Sequence, residues 1–209
     1  SSPIGEWFAA ELKISEEFEP IVFHHGGWGK VSAAASTQYV IDHWEPELLV
    51  NLGTCGGFKG EVDLGTVILV ERTLIYDIYE QMTDPADAIR HYSTDIDLSW
   101  LTEPLPMDVR RSLLVSADRD LHADEVSQLR NDHDAIAGDW ESGAIAYVAA
   151  RNGKRCLILR AVSDLVGSEG GEVYGEYALY AERTEAIMHR LVDTLPDWIE
   201  KSLGNTLAS

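Results

Sequence analysis

Three short stretches of the chain carry residue types at spacings that chemistry can use. The first is NLGTCGGF, residues 51–58, where an apolar run meets Gly53, Thr54, Cys55, Gly56 and Gly57. Glycines at the carboxyl edge of a buried strand permit a tight turn and a close approach of ligand to backbone. An ordinary tight turn accounts for the same letters equally well. The second is GDWESGAIA, residues 138–146, with Asp139 at a strand end and Glu141 in the first turn of a helix. The inward face of that helix is Ala144, Ile145 and Val148, so helical spacing turns the Glu141 carboxylate toward the core. A capping acid that complements the helix dipole is the other reading. The third is LILRAVSDLVG, residues 157–167, where a buried run ends in Ser163 and Asp164. An acid there sits at the carboxyl edge of a sheet, where it could also be a plain N-cap.

Several common motifs are excluded. HHGGWGKVS resembles a phosphate-binding loop at Gly29 and Lys30, but Val31 stands where Ser or Thr would hold magnesium, and His24 stands where the leading glycine belongs. There is no G-x-S-x-G, C-x-x-C or H-E-x-x-H, and the seven histidines show no ligand spacing. Neither a metal nor a cofactor is expected.

The elements that must position these residues alternate. Strand-like runs are Pro20–His24, Glu47–Leu52, Gly65–Leu74, Ser112–Ala117, Ala135–Asp139 and Arg155–Val162. Several are continuous apolar runs, the pattern of strands buried on both faces. Helical periodicity fills residues 30–44, the stretch from Glu141, and a long face through Tyr177, Tyr180, Ala181, Thr184, Met188 and Leu191. The alternation predicts one α/β domain over residues 1–209, a three-layer α/β/α arrangement around a central mixed, largely parallel sheet. The opening SSPIGEWFAAELKI reads as a turn followed by a helix, with the usual first strand absent, and residues 82–106 read as an irregular excursion.

A formal charge of −20, from 36 acids against 16 bases, opposes binding to a phosphate backbone or an anionic lipid surface. No nucleic-acid or membrane partner is expected. No apolar run approaches a membrane span and no signal peptide is read at the start, while two cysteines, Cys55 and Cys156, fit a reducing cytoplasm.

Taken together, GTCGG, DWESGAIA and RAVSD, with GWGKVSAAAS, EPELLVNLGTCGGF, VDLGTVILVE and SADRD, resemble the nucleoside phosphorylase/nucleosidase superfamily, above all its 5′-methylthioadenosine/S-adenosylhomocysteine nucleosidases. The resemblance implies a phosphorylase/hydrolase-like fold and cleavage of a purine nucleoside that releases adenine. It implies that Asp164 hydrogen-bonds purine N7 and protonates the departing base, with Ser163 orienting it. Glu141 would bind the ribose hydroxyls and favour an oxocarbenium-like transition state. PIGE aligns with the motif of the water-activating acid, making Glu6 the candidate base, with Thr54 holding the water and Cys55 and Gly56 lining the turn. Trp140 stands where the family usually has Met under the ribose, the Leu121 backbone is the base contact, and Tyr174 matches an aromatic near the 5′ pocket. Arg119, Asp120 and Leu121 occupy the place of the aromatic that stacks on adenine. The resemblance further implies a homodimer, for which Ile75, Tyr76, Ile78, Tyr79 and Met82 supply an apolar cluster. Two alternatives stay open: a phosphorylase, for which Leu49-Val50-Asn51-Leu52 lacks the Arg expected before the glycine turn, and a non-catalytic nucleoside-binding protein.

Overall fold

In the computed structural model, which describes residues 2–203, the first two elements are strands. β1 (Glu6–Ile14) and β2 (Glu17–His25) pair antiparallel along their whole length, from Glu6 opposite His25 to Ile14 opposite Glu17. The expected N-terminal helix is therefore a hairpin. Helix formers in AAELK suggested the helix, but Ala10, Leu12 and Ile14 face inward while Glu11 and Lys13 face out, a period of two. Ile14 is buried against Leu195 and Ile199, with Leu12, Ile21 and Phe23 beside it. Such burial overrides local helix propensity.

The chain continues through α1 (Gly29–Trp44), β3 (Leu48–Phe58), β4 (Val67–Ile75), α2 (Pro85–Tyr92), β5 (Thr94–Asp95), β6 (Arg110–Ser116) and α3 (Ala123–His133). It ends with β7 (Ala137–Asp139), α4 (Ser142–Arg151), β8 (Arg155–Gly167), β9 (Gly170–Gly171), α5 (Tyr177–Asp193) and α6 (Leu195–Leu203). The sheet has the order β5-β4-β6-β7-β3-β8-β9, and β4 also pairs with β8, which closes five of the strands on themselves. It is mixed. β3 with β8, β4 with β6 and β6 with β7 run parallel, while β3 with β7, β4 with β5, β4 with β8 and β8 with β9 run antiparallel over two or three residues each.

The continuous apolar runs are buried on both faces, as expected: Leu157, Ile158 and Leu159 of β8 are wholly enclosed. Each such side chain stabilises by roughly 1.5–3 kcal/mol relative to exposure. Residues 82–106 are less irregular than expected, because Asp84 accepts a hydrogen bond from the Ala86 amide (3.0 Å) and Pro85 opens α2. Of the long face expected on α5 only Leu191 is buried, while Tyr177 and Tyr180, at its N-terminal end, are exposed. An aromatic stripe looks alike in sequence whether or not the chain's own core reaches it.

Candidate active site

The site is built where β3 and β8 lose step. Their parallel register holds to Cys55 opposite Val162 and resumes at Gly56 opposite Asp164, leaving Ser163 as the extra residue of a bulge. A bulge re-aims the side chains beside it. Asp164 is thus inside a strand that runs on to Gly167, which removes the N-cap reading. It is 5 % exposed. The Ser163 hydroxyl lies 3.2 Å from Asp164 Oδ1 and 3.3 Å from the Cys55 carbonyl, and the Ser163 carbonyl accepts from Arg183. Among the described residues, Asp164 Oδ2 is buried with no hydrogen-bond partner. Burial raises the Asp164 pKa; the Ser163 hydroxyl and the charge of Arg183 oppose this, and the charges of Glu172 and Asp120 add to it. Gly56 opposite is needed for space, since a Cβ there would stand 3.2 Å from Leu121 Cδ1 and 3.8 Å from Asp164 Oδ1.

A second centre surrounds Arg160, the one buried cation among the described residues. Its Nε lies 2.9 Å from both Asp139 Oδ2 and Ser142 Oγ, its Nη1 donates to the Thr54 carbonyl at 3.4 Å, and its Nη2 stands 3.6 Å from Glu141 Oε2. Gly53 makes room, because a Cβ there would overlap the guanidinium. Asp139 also accepts from Ser116 Oγ (2.6 Å) and the Ser142 amide, so it is fully engaged as an anchor. Sequence reasoning assigned Arg160 no role. Its signal was a charged residue inside the apolar run LILRAV, since an arginine enters a core only when paired.

Glu141 is not within the first turn of α4 but at its N-cap position, and it makes no cap bond to that helix. Its carboxylate instead accepts from the Gly29 amide (3.0 Å) at the start of α1. Burial raises its pKa, opposed by Arg160 and the Gly29 hydrogen bond and reinforced by Asp139 and Asp118. The next amide of α1, Lys30, donates to Asp118 Oδ1 at 2.6 Å, and the Lys30 ammonium pairs with Asp77, which also accepts from the Asp118 amide at 2.9 Å. The helix terminus that resembled a phosphate-binding loop thus receives two of the chain's own carboxylates.

The other expected residues fall as follows. Thr54, Cys55 and Gly56 lie on β3 against the bulge, and Trp140 is half-buried between Asp139 and Glu141. Burial pushes the Cys55 thiol up, so it is no nucleophile at neutral pH. Leu121 is buried, and its carbonyl accepts from the Tyr174 hydroxyl at 3.1 Å, which ties Tyr174 to the loop expected to meet the base. Arg119 turns away from that loop, pairing with Glu125 at 2.7 Å and covering the Tyr76 ring. Glu6 is exposed at the start of β1, where it pairs with His25 of β2, and its side chain makes no hydrogen bond among the described residues; the helix start that framed its role is a strand. A cavity of about 490 Å³ opens beside Leu121 and Tyr174, bordered also by Asp120 and Gly170. A larger one, about 580 Å³, is lined by residues 103–111 except Arg110 and shares no residue with either centre.

A family model described as the phosphorylase superfamily matches residues 6–195. The 5′-methylthioadenosine/S-adenosylhomocysteine nucleosidase of Staphylococcus carnosus is 30 % identical over 173 residues, covering 76 % of this chain and 75 % of that protein. That of Tolumonas auensis is 26 % identical over 180 residues, 80 % and 78 % of the two chains. Among solved structures, the S-adenosylhomocysteine nucleosidase of Streptococcus pyogenes superposes with a TM-score of 0.70 at 18 % identity, over 92 % of this chain and 87 % of that one. The 5′-methylthioadenosine/S-adenosylhomocysteine nucleosidase of Neisseria meningitidis, in complex with methylthio-immucillin-A, gives 0.70 at 21 % over 92 % and 85 %. These structures share the fold.

Proposed function

Because the chain belongs to the phosphorylase superfamily, we propose that it is a nucleosidase that hydrolyses the N-glycosidic bond of 5′-methylthioadenosine or S-adenosylhomocysteine and releases adenine. The observation that carries this reading is the buried, unpartnered Oδ2 of Asp164, on a carboxyl whose pKa is raised. A neutral carboxylic acid at that position donates to purine N7 as the C1′–N9 bond breaks and its electron pair moves into the base. Glu141, held by Gly29 and faced by Arg160, is the acceptor for the ribose hydroxyls and the negative charge beside the cationic C1′. Water then adds to C1′, and its proton passes to solvent, from which the Asp164 carboxylate is reprotonated for the next turnover. Trp140 forms the floor under the ribose, Thr54, Cys55 and Gly56 the adjacent wall, and the Leu121 backbone and Tyr174 the side toward the base. Glu6 has no part in this scheme.

Water rather than phosphate is the acceptor for a physical reason. Phosphate recognition needs free donors, preferably bidentate arginine. Here Arg160 is committed to Asp139, Ser142 and Thr54, and the amides that open α1 are taken by Glu141 and Asp118. The test is incubation of the purified protein with 5′-methylthioadenosine in phosphate-free buffer. Adenine and a free reducing sugar are expected; release only with added phosphate would make it a phosphorylase, and tight binding without release a binding protein.

The same reading treats residues 1–209 as one domain of three α/β/α layers around a largely parallel sheet. In support, Ala146 and Ala149 of α4 enter one core cluster, while Ile187 and Leu191 of α5 and Trp198 of α6 enter another. It also takes the protein as a cytoplasmic homodimer with no nucleic-acid or membrane partner. No helix among the described residues is long and apolar enough to cross a membrane. Of the expected interface cluster, Ile75 is buried in the chain's own core and Tyr76 packs there, but Tyr79 and Met82 are 82 % and 92 % exposed, as a dimer contact requires.

A further inference from the structure

Asp118 lies in the loop SADRD, just beyond the last paired residue of β6, and nothing in the mechanism above uses it. It stands where several chain ends meet. β4 and β6 stop side by side, with Ile75 opposite Ser116, so Asp77 and Asp118 follow as neighbours. The Asp118 amide donates to Asp77 Oδ2 at 2.9 Å. The preceding amide, Ala117, donates at 3.1 Å to the carbonyl of Asp139, which leads into Glu141. The start of α1 closes the junction. Its Lys30 amide donates to Asp118 Oδ1 at 2.6 Å, and the Lys30 ammonium pairs with Asp77 and stands 3.8 Å from Asp118 Oδ2.

α1 depends on this junction for its cap. A helix start leaves its first amides without intrahelical partners. α1 has no acid in its first turn, and Trp28 at its N-cap position makes no side-chain cap bond. The amides of Gly29 and Lys30 are met instead by Glu141 and Asp118. Gly29 has φ +78°, which side chains rarely adopt, and a Cβ on it would stand 2.7 Å from Asp118 Oδ1. Among the described residues the Gly29 amide is the one hydrogen-bond donor to the Glu141 carboxylate, since Arg160 stands off at 3.6 Å. Whatever fixes Gly29 therefore aims Glu141. We propose that Asp118 is a positioning residue for sugar recognition: as acceptor of the Lys30 amide it holds the start of α1 where Gly29 aims Glu141 at the ribose hydroxyls. It acts as an acceptor and not as a charge, because its negative charge opposes the ionised form of Glu141. The inference rests on the nucleosidase reading and extends it to the residue that sets the geometry of ribose binding.

The experiment compares wild type, Asp118→Ala and Asp118→Asn for affinity toward 7-deazaadenosine and 2′-deoxy-7-deazaadenosine by calorimetry. Both ligands carry C–H in place of N7, so Asp164 has no nitrogen to protonate and they bind without cleavage. Asp118→Ala is expected to lower the preference for the ribonucleoside about tenfold, the worth of one hydrogen bond to a charged group. Asp118→Asn, whose amide oxygen still accepts from Lys30, should stay within about twofold of wild type. In a Glu141→Ala background, Asp118→Ala should change the preference no further, as expected of a residue that acts only through Glu141. The role is overturned if Asp118→Ala leaves the preference in place, if Asp118→Asn loses as much, or if the loss recurs in full without Glu141. A wild type with no preference for the ribonucleoside overturns it too. If Asp118→Ala does not fold, Asp77→Ala frees the Asp118 amide and the Lys30 ammonium and carries the same expectations. Failure of wild type to release adenine from 5′-methylthioadenosine would instead remove the nucleosidase reading, and the affinity ratios still decide the inference.

Discussion

Replacing Asp164 by Asn tests the acid assignment most directly, because the side chain keeps its shape and can still donate a hydrogen bond but cannot transfer a proton. In the folded chain the carboxyl is buried, with one oxygen beside Ser163 and the other facing nothing. Burial raises its pKa, so the neutral form persists to higher pH than for an exposed aspartic acid. General acid assistance is typically worth about 10²–10⁴-fold, and at about 1.4 kcal/mol per decade the barrier should rise by about 3–5 kcal/mol. Spectrophotometric release of adenine should therefore fall by at least two decades in kcat. The fold should survive. A raised folded-state pKa means that the stability tied to this group is present below its unfolded pKa and lost as pH rises through the folded value. At neutral pH wild type therefore bears a cost that Asn does not, and the variant should melt at the same temperature or higher. The same sign gives the pH profile: wild-type activity falls as pH rises through the Asp164 pKa. Ser163→Ala, which removes a group that lowers that pKa, moves this limb to higher pH. A variant within about threefold of wild type, or an alkaline limb that Ser163→Ala leaves in place, would refute the reasoning.

Arg160→Met leaves Asp139 and Glu141 without their buried cation, and breaking a buried pair costs about 3–5 kcal/mol. Thermal unfolding should drop by about 6–20 °C for a chain of this size; a drop under 2 °C would show the pairs to be dispensable. Glu141→Gln should lower kcat/KM about 10–100-fold on ribonucleosides and much less on 2′-deoxynucleosides, and equal losses on both would remove the hydroxyl contact. Light scattering should give a particle near twice the 23.1 kDa chain mass, and Tyr79→Asp should halve it and reduce activity. A fully active monomer at micromolar concentration would remove the dimer.

What the sequence made legible were features written into consecutive residues. The apolar runs became β3, β4, β6, β7 and β8, and the helical spacing from residue 30 became α1, while Glu141 stands at the N-cap position of α4, outside the helix whose spacing was used to orient it. What was not legible depends on partners far along the chain. The bulge at Ser163 exists only because Gly56 of β3 pairs with Asp164, and Glu141 is fixed by an amide 112 residues away. The hairpin was lost because AAELK satisfies a helix locally, while the pairing of Glu6 through Ile14 with residues 17–25 is decided by burial against α6. Arg160 was visible as a charge in a core strand, but its partners belong to β3, β7 and the start of α4.

The two carboxylates at the centre differ in what the protein leaves undone. Both are pushed toward neutrality by burial, but Glu141 has a donated amide and a guanidinium 3.6 Å away, interactions that favour the charged form. Asp164 has one shared hydroxyl on Oδ1 and none on Oδ2, with like charges at Asp120 and Glu172. A buried acceptor without a partner costs about 1–3 kcal/mol, and a ligand that supplies one recovers it. A protonated carboxyl resolves the same deficit by offering its hydrogen to a purine nitrogen. Under the proposed function, environments that treat two acids so differently assign one acid to the leaving base and the other to the sugar. In a chain of charge −20 the division also guards the acceptor, since the only buried cation among the described residues is already paired and an anion entering the site finds no free counter-charge.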